Sequence, residues 1–186
     1  MTDVQANVIR DVLFDLRDTF VYAVLDGARV GEDLLPKLTE GDVEHACLYR
    51  GELAPDLAAC APYLVRIEKS GDFLAWLLKS GWGKDWGIFL ASGADMALMR
   101  RHLRRFLIVA SPEGKRLYFR YYDPRVLRVY LPTCSPVEAR HVFGPIQQYL
   151  VEGPEAKPGV CVFRRCAAGV EETHPMLGED ARLVDR

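Results

Sequence analysis

Residues 86–110 read Trp86-Gly87-Ile88-Phe89-Leu90-Ala91-Ser92-Gly93-Ala94-Asp95-Met96-Ala97-Leu98-Met99-Arg100-Arg101-His102-Leu103-Arg104-Arg105-Phe106-Leu107-Ile108-Val109-Ala110. Trp86 to Ala91 is a short apolar run of strand length. Ser92 and Asp95 stand three apart, a capping-box-like start for a helix that runs to about residue 105. Phe106 to Ala110 then returns to strand. On the helix, Met99, Leu103 and Phe106 share one face, turned toward the sheet. Arg101, Arg104 and Arg105 share another, because residues three and four apart are neighbours.

The same alternation extends upstream. Residues 4–18 carry apolar side chains at helical spacing (Val4, Val8, Val12, Leu13, Leu16), and Phe20 to Leu25 reads as a buried strand ended by Asp26-Gly27. A short helix is predicted over 31–38, strands over 45–49 and 63–67, and a compact helix over 73–79. Residues 53–61, with Pro55, read as a loop or helical turn. Strand, helix and strand in alternation from 20 to 110 predict an α/β fold: a central, mostly parallel or mixed sheet flanked by helices. Downstream, Pro112-Glu113-Gly114 turns the chain into Arg116 to Tyr121, making a hairpin with 106–110. Asp123-Pro124 announces a helix, with aspartate as N-cap and proline at the first helical position. A second helix follows over 136–143. Ile146 to Glu152 and Val160 to Arg164 can pair across Gly153-Pro154. The predicted organisation is an N-terminal amphipathic helix (1–19) and a main domain (20–145). The latter has an α/β core (20–122) and a helical lobe (123–145). A C-terminal hairpin (146–166) completes a smaller C-terminal lobe, and 167–186 is a polar, flexible tail.

Composition narrows the class. With 186 residues the chain suits one domain and needs no metal or disulfide staple. Apolar residues at 49% and charged residues at 27% are those of an ordinary soluble protein. A net charge of −2 gives no electrostatic reason to bind nucleic acid or an anionic membrane, so neither is expected as a partner. No apolar run approaches the roughly 20 residues of a membrane span, and the N-terminus lacks a basic segment before an apolar core. A cytoplasmic location is expected. The cysteines (Cys47, Cys60, Cys134, Cys161, Cys166) are odd in number and scattered, as for reduced thiols. No histidine lies near Cys161 and Cys166 in the sequence to complete a zinc site, and no cofactor is expected.

Catalytic signatures are missing from the sequence. His45, His102, His141 and His174 make no HxxxH or HxH pair, and there is no GxSxG, Walker loop or GxGxxG. Gly81-Trp82-Gly83-Lys84-Asp85-Trp86-Gly87 is glycine-rich but runs from helix to strand, opposite to a phosphate loop. His102, among arginines, is expected to resist protonation.

Three features suggest a contact surface. Arg100, Arg101, Arg104 and Arg105 repel one another, so a partner must offset them, either carboxylates on adjacent loops or an external acidic peptide. Tyr121, Tyr122 and Arg125 surround the Asp123 cap. Trp76, Trp82 and Trp86 are dense, and glycine-flanked Trp82 is a candidate anchor. Tyrosine, tryptophan and arginine are the residues enriched at interface hot spots. The candidate partner-binding residues are therefore Trp82, Trp86, Arg101, Arg104, Arg105, Tyr121, Tyr122 and Arg125.

Several of these segments are similar to one known family. Tyr22-Ala23-Val24-Leu25-Asp26-Gly27-Ala28, Ala61-Pro62-Tyr63-Leu64-Val65, Gly81-Trp82-Gly83 and Trp86-Gly87-Ile88-Phe89-Leu90 resemble type VI secretion effector chaperones, the Tec or Tap adaptors. So, in order, do Arg100 to Phe106, Phe119 to Leu127, Leu131-Pro132-Thr133 and Phe143-Gly144-Pro145. The resemblance implies a non-enzymatic adaptor chaperone with no active site and no cofactor. Its partners would be a cognate toxin effector and a VgrG-type spike protein. Two other readings follow from the residues alone: a small cytosolic α/β enzyme (hydrolase or transferase) with an unrecognised site, and a nucleic-acid module using the arginine helix.

Overall fold

The computed structural model describes residues 2–111, 113–155 and 159–175. Its centre is a seven-stranded sheet in the order β2-β3-β1-β4-β7-β8-β9. The strands are β1 (Phe20–Asp26), β2 (His45–Cys47), β3 (Pro62–Ile67), β4 (Gly87–Ser92), β7 (Ile146–Glu152), β8 (Val160–Cys166) and β9 (Gly169–Thr173). A separate hairpin is formed by β5 (Ile108–Ala110) and β6 (Arg116–Tyr118).

Every neighbouring pair in the large sheet is antiparallel, which corrects the mostly parallel sheet expected from the sequence. The reason lies in burial. Antiparallel sheets usually show one face to water and alternate in polarity, whereas sheets covered on both faces give unbroken apolar runs. Here helices cover both faces. Tyr22, Val24, Ile88, Leu90, Tyr149 and Phe163 point to one side. There they pack on Met99 and Leu103 of α6 (Met96–Leu103), Leu127 of α7 (Pro124–Tyr130), and Val142 and Phe143 of α8 (Pro136–Phe143). Val21, Ala23, Leu25, Val65, Phe89 and Val162 point to the other. There they meet Ile9 and Leu13 of α1 (Asp3–Leu13), Val30 of α2 (Gly27–Val30), Leu34 and Leu38 of α3 (Leu34–Glu40), and Leu74 of α5 (Asp72–Trp76). The β3–α5–β4 segment does join two strands of the same direction, but β1 lies between them and pairs antiparallel with both. A local strand–helix–strand pattern cannot reveal a strand inserted from elsewhere in the chain.

The segments expected as a smaller C-terminal lobe belong to the main body. α7 and α8 cover one sheet face, and β7 and β8 extend the sheet from β4. Gly169–Thr173, expected within a flexible tail, forms β9 against β8. Residues 176–186 of that tail lie outside the described residues, as does Pro112 of the hairpin turn. Local capping agrees more closely with the sequence. Asp123 accepts a hydrogen bond from the Arg125 amide at 3.0 Å, and Pro124 begins α7. In α6 the cap is Asp95, accepting from the Leu98 amide at 2.8 Å. The Ser92 hydroxyl instead donates to the Pro145 carbonyl at 2.8 Å. Within residues 53–61, read as a loop or helical turn, lies α4 (Pro55–Cys60). Among the described residues no helix is long and apolar enough to cross a membrane.

Asp123 is also gripped by the Arg125 guanidinium, which donates to its two oxygens at 2.9 and 2.6 Å. Burial alone would raise this carboxyl, but the Arg125 side-chain and backbone hydrogen bonds outweigh it and hold the carboxyl below its ordinary value. Asp123→Ala should cost about 1–2 kcal/mol in urea unfolding at neutral pH, as a lost cap. A depressed folded-state value means that this stabilisation is present above the ordinary aspartate range and fades as pH falls through the folded value.

Candidate functional site

At the end of β1, Asp26 is 2% exposed and caps α2, accepting from the Ala28 amide at 3.2 Å. Its second oxygen accepts a hydrogen bond from the Arg120 guanidinium, which reaches it across 94 residues of sequence. This ion pair lines an open cleft of about 810 Å³. α4 supplies Leu57 and Cys60. The segment after β2 supplies Leu48, Tyr49, Arg50 and Leu53. The helical turn that follows α6 brings Arg104, Arg105 and Leu107, and the β5–β6 hairpin brings Ile108, Arg116 and Tyr118. The floor is thus mainly aliphatic and the rim mainly arginine.

Apolar surface is unusually available here. Tyr118 is 75% exposed, Leu117 49% and Leu57 48%, with Ile108 and Val109 also exposed. A two-stranded hairpin has little area of its own to bury, so its apolar side chains stay exposed. Beside the cleft, Arg50, Arg100, Arg101 and Arg104 line a second hollow, and Arg100 donates to the Cys47 carbonyl at 2.9 Å. The Arg104 guanidinium is pushed below its ordinary value by desolvation, then by the Arg100 and Arg50 charges.

The residues singled out in the sequence fall into separate places. Arg104, Arg105 and Tyr122 line the cleft, and Arg101 lines the adjoining arginine hollow. Tyr121 is 3% exposed and belongs to the core. Arg125 is held by Asp123 and by Asp85 at 3.5 Å. Trp82 and Trp86 pack against the opposite core, Trp86 on Trp76 with ring centroids 5.2 Å apart and Trp82 on Phe89 at 6.3 Å. Sequence reading missed Asp26, Arg50, Leu57, Arg116, Tyr118 and Arg120 as one group. The exposed alternation Arg116-Leu117-Tyr118 was the available signal. His102 is buried against α8, its Nε2 3.0 Å from the Val142 carbonyl. Its pKa is lowered as expected, by burial first, while the Arg105 charge contributes less.

The loop between α5 and β4 is clamped from beneath by Glu152, whose carboxylate accepts from the amides of Gly83 and, at 2.5 Å, Asp85. Burial nevertheless pushes the Glu152 carboxyl up from 4.5 to about 7. A raised folded-state value means the folded protein holds the proton more tightly, so stability falls as pH rises from about 4.5 through about 7. Glu152→Gln removes that titration. The stability of the native protein relative to this variant should decline over the same window and level off above it, in urea titrations at stepped pH.

One cluster among the described residues could converge on an ion: Cys161, Glu172 and His174. Cys161 Sγ lies 3.5 Å from His174 Nδ1, and His174 Nε2 lies 3.2 Å from Glu172 Oε1. This corrects the reading that no histidine is near Cys161, since the β8–β9 register brings the two strands' ends together. The thiol is 1% exposed, so a substrate cannot reach it as a nucleophile. Elsewhere, an acidic hollow of about 530 Å³ is lined by Glu40, Asp42, Glu44, Glu68 and Asp72, with Arg66 held by Glu44 and Glu68 at 3.4 and 3.6 Å.

The fold is that of an α/β protein with a large antiparallel sheet and an open, arginine-rimmed cleft. The chain belongs to the family described as "Domain of unknown function (DUF4123)", matched over residues 21–141. No curated protein and no solved structure matches it. Every residue lining the cleft lies inside the matched segment, whereas β7–β9 and the Cys161 cluster lie outside it.

Proposed function

We propose that this protein is an adaptor chaperone that binds a toxin effector in the producing cell and helps load it onto a VgrG-type spike. One observation carries the reading: an open, aliphatic, arginine-rimmed cleft lying wholly within the family segment. The ordered resemblance to type VI secretion adaptors supports it. Chemically, the floor takes apolar effector surface out of water, which keeps the toxin soluble. The exposed rim arginines steer and orient the segment more than they tighten it. Such an interface can be both specific and releasable, because hot-spot quality rather than area sets affinity.

The test is co-expression with a toxin and a VgrG-type spike whose genes flank this one. The expected result is a toxin that co-purifies with the adaptor and is more soluble than toxin expressed alone. Recovery of no complex with either the toxin or the spike would contradict the reading.

A further inference from the structure

Resting on the adaptor reading, we infer that the segment received by the cleft is an acidic, amphipathic peptide. Its carboxylates meet the arginine rim, and its aliphatic or aromatic side chains lie on the floor.

Charge balance carries this inference. Arg50, Arg104, Arg105 and Arg116 converge on one opening, and among the described residues none has a carboxylate within ion-pair distance. The one acidic group in the cleft, Asp26, is already taken by Arg120. Like charges gathered without partners repel, and an occupant that brings carboxylates relieves the repulsion. Arginine in particular fits carboxylates in a two-point fork. The floor adds a second requirement. Leu57 and Ile108, both exposed, and half-buried Leu53 reward burial of apolar side chains, which a purely acidic ligand lacks. The remainder of the chain is net acidic, since the total is −2 despite this patch, and the 530 Å³ hollow is itself carboxylate-lined. A nucleic acid calls for a broader basic footprint than this one patch on a chain of net charge −2. Exposed aliphatic side chains among these unpaired arginines favour the peptide.

The test uses the full chain and fluorescence anisotropy with a labelled peptide alternating Glu and Leu. A Lys–Leu peptide, a polyglutamate peptide and single-stranded DNA serve as comparisons. The Glu–Leu peptide should bind best and weaken about tenfold between about 50 and 300 mM salt, as screening shortens the reach of the rim charges. Arg104→Glu with Arg105→Glu should lose at least about tenfold in affinity. Leu57→Ser should lose affinity without losing the salt dependence. An unchanged unfolding midpoint in each variant separates lost binding from lost folding. Equal or tighter binding of the Lys–Leu peptide or the DNA, or full binding by the double variant, would overturn the inference. Toxin co-purification distinguishes the two levels. Toxin retained equally by the native chain and the double variant sinks the cleft assignment and leaves the adaptor reading standing. Peptide binding without any toxin complex does the reverse.

Discussion

Replacing Gly27 with alanine is expected to destabilise the protein by about 3 kcal/mol, measured as a fall in the urea midpoint at unchanged slope. Gly27 opens α2 directly beneath α4. A Cβ there would sit 2.4 Å from the Ala59 carbonyl oxygen and 2.6 Å from that of Ala61. Both obstacles are backbone, and the Gly27 amide donates to the same Ala61 carbonyl at 3.0 Å, so the two segments cannot part without breaking that bond. The backbone of Gly27 is not left-handed, and alanine is otherwise the better helix former, so the whole penalty is steric. Gly31, at the far end of the same helix, supplies the control. It has φ +81° and open space around it, so Gly31→Ala should cost only about 1 kcal/mol of backbone strain. Because α4 carries Leu57 and Cys60 into the cleft, Gly27→Ala should also weaken partner binding, whereas Gly31→Ala should not.

Arg120→Ala is expected to cost about 2–3 kcal/mol, more than Asp26→Asn at about 1 kcal/mol, in the same unfolding experiment. The asymmetry follows from exposure. The Asp26 side chain is 2% exposed and that of Arg120 46%. Removing the arginine leaves a buried carboxylate without its counter-charge, while removing the carboxylate leaves an arginine that can turn to water. Asparagine also keeps the cap on the Ala28 amide. Combining Arg120→Ala with Asp26→Asn should therefore recover most of the loss. Equal costs for the two single variants would show that the pair is effectively solvent-screened and does not anchor the lining of the cleft.

Features written in local chemistry were legible in the sequence. Asp123-Pro124 specifies its own helix start, and the β7–β8 pairing follows from two apolar runs around a Gly-Pro turn. Strand direction was not legible, because a sheet covered on both faces removes the polar alternation that marks antiparallel strands. The insertion of β1 between β3 and β4 is a long-range event with no local trace. The candidate site divides along the same line. Crowding of like charge marks Arg104 and Arg105, and Tyr122 is marked by its place beside the Asp123 cap. Asp26 and Arg120 meet only through tertiary packing, and Leu57 reads as an ordinary residue in a short helix until the fold sets it opposite the hairpin. Conversely, Trp82 and Trp86 stand out in sequence for their density, which the fold uses to fill the space beneath the 81–87 loop against Trp76 and Phe89.

Hydrogen exchange on the protein, alone and in complex with the toxin partner proposed for it, tests most directly whether this molecule works through the arginine-rimmed cleft. Slowed exchange is expected in α4, in the turn at Arg104–Phe106 and in the β5–β6 hairpin, with little change around the acidic hollow near α3 and α5. Protection centred on that acidic hollow, with the hairpin and α4 exchanging as in the free protein, would contradict the account.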